Sequence, residues 1–155
     1  MSVKPIPEGY HSVTPYLIVK GAAQALEFYK RAFGAVETVR LDGPDGMLAH
    51  AEFKIGDSHV MLSDEWPHMD ALGPVSRGGT SVGLAVYTED CDAMFDRAVA
   101  AGGTAVRPVQ NQFYGDRSGT LKDPFGHQWT IATHVEDVSP EEMQSRMESA
   151  MKGQP

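Results

Sequence analysis

The chain has 155 residues, of which 41% are hydrophobic and 22% charged, a composition typical of one globular domain rather than a disordered protein. Its net charge of -8 argues against a nucleic-acid partner, which would require a basic surface. No apolar segment approaches the roughly 18 residues that span a bilayer. The single cysteine, Cys91, permits neither an internal disulfide nor a cysteine-rich zinc site. We therefore expect a cytoplasmic protein without a membrane partner.

Residues 13–64 predict a strand, a helix and three further strands. The first strand covers 13–19, and a helix follows over Ala22–Phe33 because its apolar residues recur at helical spacing. Gly34 stands where a glycine commonly ends a helix. The three strands that follow are predicted at 36–41, Leu48–Ile55 and 59–63.

Residues 80–135 repeat this order. A strand is predicted at 81–87 and a helix at 91–101, and further strands follow at 104–109, 119–122 and 127–133. The βαβββ pattern therefore occurs twice, and we predict one domain over 13–135 with modules at about 13–64 and 80–135. A loop joins the modules, residues 1–12 form an extension, and 136–155 form a helical tail.

The tail begins with a strong helix signal. Ser139 precedes Pro140, and Glu142 stands where a capping glutamate belongs. Three methionines then recur every fourth residue: Met143, Met147 and Met151. This stripe is expected to pack on the body of the protein or on a second subunit. A stripe that faces a ligand is the alternative.

Four segments resemble the vicinal oxygen chelate superfamily, which includes glyoxalase I, extradiol dioxygenases, fosfomycin-resistance enzymes and bleomycin-binding proteins. They read TPYLIVKGAAQALEFYKRAFGA, HAEFKIGDSHVMLSDE, GDRSGTLKDPFGHQW and ATHVEDVSPEEM, and they are most similar to its PhnB-like branch. The resemblance implies an α+β fold in which two βαβββ modules form incomplete barrels. It also implies ligand cavities built from two modules, often from two subunits.

The resemblance places the metal-ligand positions of lactoylglutathione lyases and dioxygenases at four residues here. They are Thr14, Met61, Ser81 and Thr130. None carries an imidazole or a carboxylate, the usual donors of such sites. We therefore expect no metal and no other cofactor, which favours a binding protein over a glyoxalase or a dioxygenase.

His50 and Glu52 are the candidate catalytic residues. They alternate on one predicted strand, so both side chains point to the same face. A histidine beside a carboxylate is suited to acid–base chemistry or to a relocated metal site. The alternative is a solvated strand face. His134 and Glu136 repeat this spacing, and we expect them to bond the start of the tail helix instead.

The segment that runs from Phe113 to Arg117 is the most suggestive loop. Phe113 and Tyr114 offer aromatic surface for a planar ligand, and Arg117 could clamp a carboxylate or a phosphate. An Asp116–Arg117 pair that only fixes its own turn is the alternative. Trp66 could cover the mouth of a cavity, whereas Trp129 is expected in the core and Cys91 is not expected to act as a nucleophile.

The leading hypothesis is a homodimeric protein that binds an apolar or aromatic small molecule without a metal. Its predicted ligand-binding residues are Thr14, Tyr16, Met61, Trp66, Ser81, Phe113, Tyr114, Arg117 and Thr130. The first alternative is a lyase or isomerase that uses His50 and Glu52. The second is a protein that binds a partner through the methionine stripe. Whether the modules pair within one chain or between subunits stays open.

Overall fold

A computed structural model describes residues 2–153, so Met1 of the predicted extension and residues 154 and 155 of the predicted tail lie outside it. It confirms two βαβββ modules. The first contains β1 (Tyr16–Val19), α1 (Ala22–Phe33), β2 (Val36–Asp42), β3 (Leu48–Ile55) and β4 (Ser58–Asp64). A loop with the short helix α2 (Pro74–Arg77) leads to β5 (Gly83–Tyr87), α3 (Cys91–Ala100), β6 (Thr104–Asn111), β7 (Asp116–Lys122) and β8 (Gln128–His134). The tail helix is α4 (Pro140–Lys152).

Each module forms a four-stranded sheet of the same topology. The strand orders are β1-β4-β3-β2 and β5-β8-β7-β6, with a parallel first pair in each. One face of each sheet is covered by its helix, and α1 packs against α3 at the centre of the molecule. The other face of each sheet, which we call the open face, points away from this helical layer. Neither sheet closes into a barrel.

Asp64 fixes the start of α1. Its carboxylate is buried and accepts hydrogen bonds from the backbone N–H groups of Gly21 and Ala22, at 2.9 Å each, and from Leu48 at 2.8 Å. Gly21 has a φ of 95°, a conformation that glycine adopts without steric cost. A carboxylate at the N-terminus also interacts favourably with the helix dipole.

Asp123 joins the two modules. This buried carboxylate accepts the Tyr29 hydroxyl of α1 at 2.7 Å and the Trp129 indole N–H of β8 at 2.9 Å. Its other oxygen accepts the backbone N–H groups of Phe125 and His127 and so fixes the turn between β7 and β8. Burial, and then the charge of Asp123, raise the pKa of Tyr29 well above its ordinary value.

The tail helix is held mainly by polar contacts. Ser139 caps it by accepting the N–H of Glu142, and Arg146 donates to both oxygens of Glu136 and to the Phe113 carbonyl. No residue of α4 is fully buried. Of the methionine stripe, Met143 and Met147 are half-buried and Met151 is exposed. No helix within residues 2–153 is long and apolar enough to cross a bilayer.

Several predicted boundaries were wrong. The first strand begins at Tyr16 rather than at residue 13, because Pro15 has no N–H and joins the sheet only through its carbonyl. The fifth begins at Gly83, after a turn in which Thr80 accepts the N–H of Val82. β7 begins at Asp116 rather than at residue 119, because it pairs with β8 along its whole length.

The bond between Tyr29 and Asp123 predicts a measurable loss of stability. Tyr29→Phe should lower the free energy of unfolding by about 1–3 kcal/mol, since a hydrogen bond to a charged group is lost. Asp123→Ala should cost about 3–5 kcal/mol, because two buried donors lose their partner. Denaturant unfolding measures both. Tyr114→Phe is the control, since its hydroxyl makes only a 3.5 Å contact with Ser118. An equal loss in Tyr29→Phe and Tyr114→Phe would contradict this role.

Candidate ligand cavity and polar clusters

A cavity of about 430 Å³ lies where the two modules meet. The first module contributes the end of α1, the turn between β3 and β4, and residues 11–15 ahead of β1. The second contributes β5, Met94 of α3 and Trp129. Its apolar lining consists of Val13, Pro15, Phe33, Ile55, Val60, Leu84, Ala85, Val86, Met94 and Trp129.

The size and lining of this cavity suit an apolar ring. Pockets of a few hundred cubic ångströms that bind small molecules are mostly apolar, with a small number of polar groups that orient the ligand. Here the polar lining includes Thr14, His59 and Tyr87. Among the predicted ligand-binding residues, Thr14 alone lines the cavity. Trp129 was expected in the core and is 1% exposed, yet it also forms part of the cavity wall.

A chain of four hydrogen-bonded side chains lies on the open face of the first sheet. The Tyr16 hydroxyl lies 2.8 Å from His50 Nδ1, and His50 Nε2 lies 2.9 Å from Glu52 Oε1. The Tyr10 hydroxyl donates to the other oxygen of Glu52. The predicted alternation is confirmed, because Ala51 and Phe53 on the same strand point to the buried side.

One arrangement of protons satisfies the hydrogen bonds of Tyr16, His50 and Glu52. When His50 carries its proton on Nε2, the Tyr16 hydroxyl donates to Nδ1 and Nε2–H donates to Glu52. A histidine oriented by a carboxylate is a familiar acid–base arrangement. Both histidine nitrogens are engaged, so a substrate proton would reach His50 only after Tyr16 moves or transfers its own proton.

The second sheet carries a related cluster on its open face. The Tyr87 hydroxyl donates to Asp116 at 2.6 Å, and His134 lies 2.8 Å from both Asp116 and Asp137. Hydrogen bonds to Asp116 and Asp137 raise the pKa of His134 above its ordinary value. Burial opposes ionisation of Asp116, but hydrogen bonds from Tyr87 and His134 outweigh it and lower its pKa. His134 thus connects the last strand to Asp137, which precedes the tail helix, rather than to the start of that helix.

The two clusters have the same local arrangement but lie at different points of the repeat. Tyr16 begins β1 and pairs with Met61 of β4, whereas Tyr87 ends β5 and pairs with Ala132 of β8. Each tyrosine reaches the third strand of its module, where it meets His50 in one case and Asp116 in the other. Each open face therefore carries a tyrosine bonded to a side chain of the third strand, a histidine in the first module and an aspartate in the second.

The residues at the four positions that the resemblance assigns to a metal do not fit one. Thr14 and Ser81 precede the strands β1 and β5, and Met61 and Thr130 lie on the open faces of the two sheets. Thr130 contacts Thr120 at 3.1 Å. Hydroxyl and thioether groups are weak ligands for the metals that such sites use. Residues 2–153 of one chain also bring together no three His, Cys, Asp or Glu side chains suited to a metal.

Arg117 does not lie in a loop, which corrects the sequence prediction. It is the second residue of β7 and points toward α3, where it makes hydrogen bonds of 2.7 and 2.8 Å to Asp92. The proposed turn-fixing pair with Asp116 is wrong as well, because neighbouring residues of a strand face opposite sides. Arg117 is thus engaged with a helix carboxylate.

The other predicted aromatic residues lie apart from the cavity. Phe113 and Tyr114 form an edge-to-face pair with ring centroids 5.2 Å apart, in the loop before β7. Trp66 is half-buried in the loop between the modules, and its backbone pairs with Ala71. These three residues do not line the cavity.

Sequence reasoning missed Tyr10 and Tyr87. Tyr10 lies in an irregular segment, so no periodicity identified the contacts with Glu52 and His59. The repeat did not indicate Tyr87 either, because the counterpart of Tyr16 in the second sheet is Ala85, two residues before Tyr87.

The His134 cluster predicts a pH-dependent contribution to stability. Because its folded-state pKa is raised, protonated His134 stabilises the fold below about pH 6.5 and loses this effect as pH rises through the folded-state pKa. Asp116 sets the acid limit of this effect. Because its pKa is lowered, its carboxylate keeps the hydrogen bond with His134 until the pH falls far enough to protonate Asp116. Denaturant unfolding should show the largest difference between the protein and His134→Gln near pH 5–6. A difference that is constant from pH 5 to 9 would contradict this account.

Comparison with known proteins supports the same architecture. A family model described as the glyoxalase/bleomycin resistance protein/dioxygenase superfamily matches residues 9–131. An uncharacterised protein of Mycobacterium bovis is 43% identical over 145 residues, which cover 92% of this chain and 95% of that protein.

Solved structures of other proteins have the same fold. The crystal structure of a gene product from Arabidopsis thaliana is similar with a TM-score of 0.65 and 25% identity, over 79% of this chain and 98% of that one. A PhnB protein from Bacillus cereus is similar in fold, with a TM-score of 0.59 and 21% identity over 79% of this chain and 99% of that one. The chain belongs to the glyoxalase/bleomycin resistance protein/dioxygenase superfamily.

Proposed function

We propose that the protein binds an apolar or aromatic small molecule in the cavity between its modules, without a metal ion. The observation that carries this proposal is the cavity itself, whose wall combines Phe33, Trp129 and Met94 with aliphatic side chains. Burial of apolar surface would supply most of the binding free energy. The few polar groups would orient the ligand.

The residues at the metal positions support binding rather than metal-dependent catalysis. Glyoxalase or dioxygenase chemistry in this family would need imidazole or carboxylate donors where this chain has Thr14, Met61, Ser81 and Thr130. The proposal therefore assigns the protein to the binding members of its superfamily. Within that superfamily we place it near the PhnB-like branch, supported by the likeness in fold to the Bacillus cereus protein.

We further propose that two copies of the chain associate through the open faces of their sheets. The open face of the first sheet carries exposed aliphatic residues on β2, because Val36, Val39 and Leu41 pair with Lys54, Glu52 and His50 and therefore share their side. An exposed aliphatic strip such as that of β2 gains stability when a second copy buries it. The remaining predicted ligand-binding residues on these faces would then border a shared space.

The second candidate is an acid–base enzyme, a lyase or an isomerase. The hydrogen-bonded chain of Tyr16, His50, Glu52 and Tyr10 favours it. In this alternative His50, oriented by Glu52, would remove a proton adjacent to a carbonyl, and Tyr16 would relay it.

Narrowing the mouth of the cavity should weaken binding. Ala85 lines the cavity from the exposed edge of β5, on the opposite side of the strand from Leu84 and Val86, so Ala85→Phe adds a large side chain at the mouth with little cost to the core. The neutral fluorescent probe N-phenyl-1-naphthylamine should bind the unmodified protein and bind Ala85→Phe at least about tenfold more weakly. Fluorescence titration measures both.

Ala105→Phe is the matched control, because Ala105 is an exposed strand residue of the same sheet that does not line the cavity. It should keep the affinity of the unmodified protein. Equal affinities in the unmodified protein and the two variants would show that the probe binds elsewhere.

The acid–base alternative predicts catalysed hydrogen exchange. In D₂O, NMR should detect faster exchange of the protons next to the carbonyl of hydroxyacetone. His50→Ala and Glu52→Ala should each reduce this rate by about 10²–10⁴-fold, the usual contribution of a general base. Lys54→Ala, on the same strand face, should retain it. Equal rates in all four proteins would exclude this candidate.

A further inference from the structure

The cavity meets β5 at the edge of the strand rather than at one of its faces. All residues from Leu84 to Thr88 line it, although successive residues of a strand point to opposite faces of the sheet. Leu84 and Val86 lie on the helix side with Trp129 and Ile131, their partners on β8, whereas Ala85 lies on the open face. Because β8 pairs with the other edge of β5, the cavity lies against the free edge.

The backbone hydrogen bonds fix which groups of β5 point into the cavity. The N–H of Thr88 donates to the carbonyl of Ala132 on β8 at 2.9 Å. In a parallel pair every second residue directs its N–H and C=O groups toward the neighbouring strand, so Val86 and Leu84 also face β8. The N–H and C=O groups of Ala85 therefore point the other way, to the edge that lines the cavity, where unpaired backbone groups can bind another molecule.

The free edge of β1 faces the second module but is partly occupied. The N–H of Met61 donates to the Pro15 carbonyl, so by the same alternation the carbonyl of Ile18 points away from β4. It lies 3.1 Å from Nε2 of His127, which belongs to the second module. In the described part of the chain a side chain thus meets the edge of β1, whereas no strand pairs with the edge of β5 at Ala85.

We infer that the backbone of Ala85 selects the ligand, and that the cavity takes a planar aromatic molecule with an N–H donor beside a carbonyl acceptor on one edge, as in a lactam. The inference rests on the proposed binding function and adds the chemical class of the ligand. The ligand carbonyl accepts the Ala85 N–H, and the ligand N–H donates to the Ala85 carbonyl, as one strand pairs with the next. The apolar wall formed by Phe33, Met94 and Trp129 accommodates the ring.

The first measurement compares 2-quinolone with coumarin on the unmodified protein by isothermal titration calorimetry. The two molecules have the same shape, but coumarin has an oxygen atom where 2-quinolone has its N–H. We expect 2-quinolone to bind about tenfold more tightly, because the ring oxygen of coumarin would face the Ala85 carbonyl without a proton between them. Equal affinities would overturn the inference.

The second measurement removes the backbone donor. Ala85→Pro lacks the N–H yet leaves the pairing with β8 intact, since proline is tolerated on an edge strand where the N–H faces away from the sheet. Gly83→Pro is the matched control, because Gly83 has the same orientation on β5 but does not line the cavity. Relative to 2-methylnaphthalene, which forms no hydrogen bond, 2-quinolone should bind about tenfold more weakly to Ala85→Pro and unchanged to Gly83→Pro.

A backbone ester provides the same test without proline. Replacing Ala85 by lactic acid exchanges its N–H for an oxygen atom and keeps the methyl side chain. The affinity of 2-quinolone relative to 2-methylnaphthalene should fall as it does in Ala85→Pro, so the inference stays testable when the proline variant does not fold.

The outcomes separate the two proposals. If N-phenyl-1-naphthylamine binds but 2-quinolone does not, or if loss of the Ala85 N–H leaves the relative affinity unchanged, the role of Ala85 is wrong while the binding function stands. If Gly83→Pro shifts the relative affinity as much as Ala85→Pro, the shape of β5 is responsible and the inference fails. If no probe binds the unmodified protein, the proposed binding function fails, and the inference fails with it.

Discussion

The buried carboxylate of Asp123 is the interaction on which the arrangement of the modules depends. One side chain holds α1 through Tyr29, positions the indole of Trp129 and closes the turn before β8. Tyr29 in turn stacks on Phe33, and Phe33 packs against Trp129 with centroids 4.7 Å apart. Because Phe33 and Trp129 both line the cavity, the same carboxylate fixes the relative position of the modules and part of the proposed ligand site.

The duplicated scaffold explains why the open faces resemble each other in geometry and differ in chemistry. The register places a tyrosine of the first strand beside the third strand in both modules. In the first module the partner is His50, which leads on to Glu52. In the second it is Asp116, which also contacts His134 at 2.8 Å. The first face thus retains groups that could exchange protons, whereas the second ties the last strand to the tail.

Much of the fold could be predicted from local patterns. The helix Ala22–Phe33 agrees with its apolar spacing and with Gly34, and the repeated order of elements indicated two modules. The predicted strand boundaries were wrong where pairing with a neighbouring strand overrides local propensity. Pro15 delays the start of β1, and β8 extends β7 back to Asp116. Arg117 consequently lies on a face of β7 beside Asp92, and not in the loop that the sequence predicted.

The candidate site was harder to predict, because its parts meet only in three dimensions. Alternation placed His50 and Glu52 together, but nothing local indicated that Tyr10 would reach Glu52 across the sheet. The cavity combines the end of a helix, a hairpin turn and the edge of the second sheet. Such a junction depends on how the modules pack, which a buried group such as Asp123 decides.

The most direct test of metal-independent binding is a titration of N-phenyl-1-naphthylamine into untagged protein before and after exhaustive chelation, with the metal content of each sample measured by elemental analysis. The account predicts the same dissociation constant in both samples and no stoichiometric metal in either. Loss of binding on chelation, with recovery when one equivalent of a divalent metal is restored, would contradict it.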